Sequence, residues 1–109
     1  MIEFSAAGSP QVVSRAIEEY ARAQGHVAAL VVPWESDATR LSMAVTSVKS
    51  DGWAIEHTNL GTITLTAAGP DTTRVAIAAN EPAHEEQGRM SALFERFARL
   101  LHTRFTAAP

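Results

Sequence analysis

The sequence contains no cysteine, which excludes disulfides, thiol nucleophiles and cysteine-ligated metals. Positive charge is also scarce. Nine Lys and Arg face twelve Asp and Glu, for a net charge of −3. Binding to a phosphate backbone relies on clustered cations, so this balance speaks against a nucleic-acid partner. Lys49 is the single lysine, an Arg-over-Lys bias that fits a GC-rich coding sequence. No apolar run approaches the roughly 18 residues that a membrane span needs. The segment Met1-Ile2-Glu3-Phe4-Ser5 has neither the basic region nor the apolar stretch of a secretory signal, so the expected location is cytoplasmic.

The 109 residues fit one domain, 1–109, large enough to bury a core without metals or cross-links. Ile2 and Phe4 alternate with polar neighbours and predict a first strand. Ser9-Pro10 reads as a helix N-cap followed by proline at the first helical position. Val13, Ala16, Ile17 and Tyr20 then recur at helical spacing, and Gly25 suits a left-handed C-cap. A helix over Pro10–Gln24 follows.

The apolar run Val27–Val32 predicts a buried strand. Four alternating segments come next: 40–48, 53–58, 62–66 and 73–79. The expected turns between them are Ser50-Asp51-Gly52, Asn59-Leu60-Gly61 and Ala68-Gly69-Pro70-Asp71. Clean alternation and short turns predict an antiparallel meander with one packed and one wet face. A long amphipathic helix should begin near Pro82 and carry Glu85 and Glu86 in its first turn. Its apolar stripe would be Met90, Leu93, Phe94, Phe97, Leu100 and Leu101.

The predicted class is thus α+β, in the order β-α-β5-α. On the residues Phe4-Ser5, Ser9-Pro10-Gln11-Val12-Val13, the pair Gly61–Leu65 and Thr73–Ile77, and the closing helix Leu93–Leu101, the chain resembles the START and polyketide-cyclase-like helix-grip superfamily (SRPBCC). That resemblance implies a curved antiparallel sheet gripping the C-terminal helix. It also implies an apolar small molecule bound between them.

Candidate site residues follow from the expected faces. Trp53, Ile55 and His57 share parity on one segment. Glu86, Met90 and Phe94 share a face of the closing helix. His57 could be a hydrogen-bonding wall or proton donor; the alternative is a partly solvated strand end. Glu86 in an apolar setting would have a raised pKa and could serve a cyclase-like enzyme; the alternative is a wet residue of the first helical turn. Trp34 could be a ligand platform or lid; the alternative is a loop tryptophan packed over the end of the core. His26, His84 and His102 lack metal-ligand spacing, and no catalytic signature or cofactor motif occurs. The leading expectation is a non-enzymatic binder of an apolar small molecule. The alternative is a protein-interaction module, like a secretion chaperone or an immunity protein, using the wet sheet face or an edge strand. A homodimer is compatible with either.

Overall fold

The computed structural model describes residues 2–25, 27–50, 55–79 and 87–106, with the side chains of 49–50, 55–58, 87–93 and 106 excepted. Five strands and two α-helices follow one another as β1 (Ile2–Ala7), α1 (Pro10–Gln24), β2 (Val27–Val31), β3 (Arg40–Ser50), β4 (Ile55–Gly69), β5 (Thr72–Ala79) and α2 (Gln87–Thr106). The strands form one antiparallel sheet in the order β1-β5-β4-β3-β2. Strands β2 to β5 are the expected meander. The first strand is its outermost addition, beside the last.

Helix α1 has the predicted bounds because its ends are set by local chemistry. The Ser9 hydroxyl accepts the Val12 N–H at 3.3 Å, and Pro10 opens the first turn. Gly25 ends it at φ 83°, a left-handed conformation that glycine adopts cheaply, and its N–H bonds the Arg22 carbonyl.

The expectation of a turn at Asn59-Leu60-Gly61 is overturned, and with it the count of five strands after α1. There are four. Strand β4 runs through as one 15-residue strand with a bulge: Val45 pairs with Gly61, Thr46 pairs with Asn59, and Leu60 is the extra residue. The Asn59 side-chain oxygen accepts the Gly61 N–H at 3.1 Å. That is turn-type bonding, absorbed here into a continuous ladder.

Both helices pack on one face of the sheet. The core rows are Val31-Met43-Ile63-Ile77 and Leu41-Leu65-Val75-Phe4, read across the ladder. They form one cluster with Val13, Ile17 and Ala21 of α1 and with Phe94, Phe97, Ala98 and Leu101 of α2. Tyr20 and Phe97 stack at 6.3 Å between their ring centres, which joins the two helices. The cover is therefore shared between α1 and α2. Leu100 is a second correction. It is 38% exposed, and Ala98 takes the buried position, because the helix turns its centre line between 94 and 101.

The first strand is tied down at its C-terminal end. Gly8 N–H bonds the Asp71 carbonyl at 2.7 Å, and the fully buried Thr73 hydroxyl donates to the Gly8 carbonyl at 2.8 Å. Toward the opposite edge of the sheet, the β2–β3 connection is organised by Asp37. Its Oδ1 accepts the N–H and hydroxyl of Thr39 and the N–H of Arg40, at 2.8, 3.0 and 3.0 Å. Bonds to Thr39, backbone first and hydroxyl second, favour the ionised form and hold this carboxyl below the ordinary aspartate value. A depressed folded-state pKa stabilises the fold above the unfolded pKa, near 3.9, and the contribution is lost as pH falls through the folded value. Asp37→Ala should lower the melting temperature slightly at pH 6. The gap to the native chain should close as pH falls below the unfolded pKa and through the lower folded value. A gap that persists unchanged into strong acid would contradict this role.

Candidate functional site

The sequence places its site between the sheet and the start of α2. Phe94 is buried there, with its ring over Gly61 of β4. Gly61 lies opposite Val45, in a buried row, and has no side chain to fill the space. The ring fills it instead: a Cβ built on Gly61 would meet Phe94 Cζ at 2.5 Å. Around this point Leu60, Phe97 and Leu101 are also buried. The sheet–helix space is thus occupied by side chains wherever it is described.

The other five candidates are not assembled into a site by the described residues. Trp53 and Glu86 lie outside them, as do His26, His84, Glu85 and the turn residues Asp51 and Gly52. Ile55 and His57 belong to β4 and Met90 to α2, with their side chains outside the described set. Ladder position 57 stands opposite Val48, and position 55 opposite Ser50. Beyond the bulge, positions 61, 63 and 65 stand opposite Val45, Met43 and Leu41. The bulge thus shifts the ladder by one residue between the two halves of β4.

The face away from the helices carries no helix among the described residues, though Ser42 on it is buried beside Glu35. Its rows read Leu30-Ala44-Thr62-Ala78 and Ser42-Thr64-Ala76, small and uncharged across the middle of the sheet. Charge stands at the rim: Arg40 lies in the row Arg40-Thr66-Arg74, Arg74 and Glu3 form an ion pair at 2.8 Å, and Glu35 accepts the Ser42 hydroxyl at 3.4 Å. At the β2 end, apolar surface is presented to solvent. Leu30 is 54% exposed, and Trp34, in the short 3₁₀ turn Pro33–Glu35, is 84% exposed. Trp34 therefore covers no part of the core. The turn that carries it is held by the Ser36 hydroxyl, which donates to the Val32 carbonyl at 2.8 Å and accepts the Ser42 N–H at 3.1 Å.

A groove of about 210 Å³ runs beside this surface, between the end of α1 and β2. Glu18, Arg22, Ala28, Leu30 and Val48 line it. Two further shallow grooves, of about 270 and 250 Å³, lie on the outer faces of α2 and α1. All three fall below the roughly 300 Å³ at which small-molecule sites begin.

The sequence did not single out Leu30. A continuous apolar run such as Val27–Val32 reads as buried on both faces. Only the placement of both helices on one side shows that every second residue of the run is open. Among the described residues, no three His, Asp or Glu side chains gather as a metal site. No described helix is long and apolar enough to cross a membrane. No known family model matches the chain, and no curated protein or solved structure shows significant similarity to it.

Proposed function

We propose that this chain is a non-enzymatic protein-interaction domain that docks an apolar segment of a partner protein on the Leu30–Trp34 end of its open sheet face. One observation carries the reading. Where its side chains are described, the inner face of the sheet is packed, whereas a large aromatic and a leucine stand exposed at the edge of an outer face whose central rows are uncharged. A tryptophan left in water contributes nothing to the fold, and Trp is enriched in the central anchors of protein interfaces.

The helix-grip plan belongs to the same proposal. It is supported by the element order, by a closing helix laid on the sheet, and by the meander between the two helices. A second reading keeps the apolar small molecule between sheet and α2. Gly61 favours it, since one ring, Phe94, occupies the space that the glycine leaves, and a ring that swings away would open it.

The two readings are separated by one pair of measurements. Proximity cross-linking in the native host should capture a partner with the native chain, and Leu30→Asp with Trp34→Ala should abolish that capture while the melting temperature stays within a few degrees. The folded chain should take up no apolar fluorescent probe. Stoichiometric probe uptake that Phe94→Trp removes and the Leu30/Trp34 changes leave intact would establish the small-molecule reading instead.

A further inference from the structure

The sheet has two edges, and they are treated differently. At β2 the Val32 N–H bonds the Ser42 carbonyl at 2.8 Å, which fixes the ladder phase: Ala28 and Leu30 bond inward to β3, and Val27, Ala29 and Val31 point their backbone groups outward. The Val31 N–H is met by the Glu18 carboxylate at 3.4 Å. A carboxylate from α1 thus guards this edge, a recognised way of blocking strand addition.

The β1 edge carries no such guard among the described residues. Gly8 N–H to Asp71 carbonyl sets the phase there. Ile2, Phe4 and Ala6 bond inward to β5, so Glu3, Ser5 and Ala7 aim their N–H and C=O groups away from the sheet. All three side chains are exposed. There is no proline, lysine or bulge in the strand, the usual devices against edge pairing. Its one charge, Glu3, is already neutralised by Arg74.

We propose that β1 pairs with β1 of a second copy, antiparallel, about a two-fold axis through Ser5. The strand's own sequence selects this occupant and this register. Centred on Ser5, the ladder sets Glu3 against Ala7 of the second copy and Ser5 against Ser5, so every outward residue finds an outward partner. Centred on Glu3, two carboxylates would face each other, which is destabilising. On the helix side, the register sets Phe4 beside Ala6 of the second copy, bulky against small. The product is one continuous sheet with the α2 helices on the same side. It leaves the Leu30–Trp34 end, at the far edge, untouched, and it does not depend on the function proposed for that end.

The lack of cysteine gives a clean test. Residues of a hydrogen-bonded antiparallel pair have Cα atoms about 5.5 Å apart, within disulfide reach. Ser5→Cys should therefore cross-link to a covalent dimer under mild oxidation, and Thr66→Cys, an exposed control on β4, should not. In sedimentation equilibrium the native chain should show twice the monomer mass. Ser5→Pro removes an N–H that bonds none of the described residues, and should halve that mass. Leu30→Asp should leave it unchanged. A native chain that remains monomeric at millimolar concentration, or a Ser5→Cys variant that cross-links no faster than the Thr66 control, overturns the proposal whether or not Ser5→Pro folds.

Discussion

Replacing Gly61 with alanine should destabilise the domain by about 3 kcal/mol, the upper range for forcing extra volume into a packed interior. The added methyl would stand 2.5 Å from Phe94 Cζ and 2.9 Å from Cε2, and against the carbonyl oxygen of Ala78. The ring can tilt to relieve part of this. The carbonyl cannot, because it belongs to β5, which is paired on both sides. Gly61→Ala combined with Phe94→Ala should therefore show positive coupling but incomplete rescue. Urea unfolding of the four variants in the cycle measures both quantities. A loss under about 0.5 kcal/mol for Gly61→Ala, in the range of ordinary surface changes, would mean that the ring does not lie over the glycine.

Phe97→Ala should cost about 3–5 kcal/mol, as truncation of buried phenylalanines does. The side chain is 2% exposed and belongs to the cluster shared by the sheet and both helices. Its stacking on Tyr20 means that its loss also loosens α1 from α2. The adjacent stripe position provides the contrast. Leu100→Ala, at a 38% exposed site, should cost under about 1 kcal/mol. Equal losses at 97 and 100 would refute the helix orientation described above.

What the sequence made legible was whatever is decided within a few residues. Ser9, Pro10 and Gly25 act on backbone groups at most four positions away, and α1 has the bounds they predict. The same reasoning misread Asn59-Leu60-Gly61 for an instructive reason. The local bond it anticipates is present, from Gly61 N–H to Asn59. Whether that bond closes a hairpin or a bulge is decided by β3 and β5, which hold β4 in register on either side. Leu100 failed on a finer scale. It lies at the margin of the helical stripe, well round the helix from the line set by Phe94, Phe97, Ala98 and Leu101.

The candidate site divides along the same line. Phe94 was legible as a large side chain on the buried face of an amphipathic helix. The exposure of Leu30 and Trp34 was not, because it depends on which face of the sheet the helices choose. Nor was the contrast between the edges. Glu18 and Arg22 stand four apart on α1, the spacing of a helical ion pair. The Glu18 carboxylate instead reaches a strand that follows α1 in the chain and lies beside it in space.

The pairing of β1 with β5 has a consequence for how the chain is made. Ile2 stands opposite Ile77 in the ladder, so the first of these five strands to be synthesised is bonded by the last of them. At about 5–20 residues per second, the interval between the two is on the order of 4–15 s. Throughout that time the nascent β1 has no native neighbour, while β2 to β4 can zip up as successive hairpins. Docking of β1, sealed by the Thr73–Gly8 hydrogen bond, is therefore a terminal event in biosynthesis, and the strand waits as bare chain until nearly the whole domain has been translated.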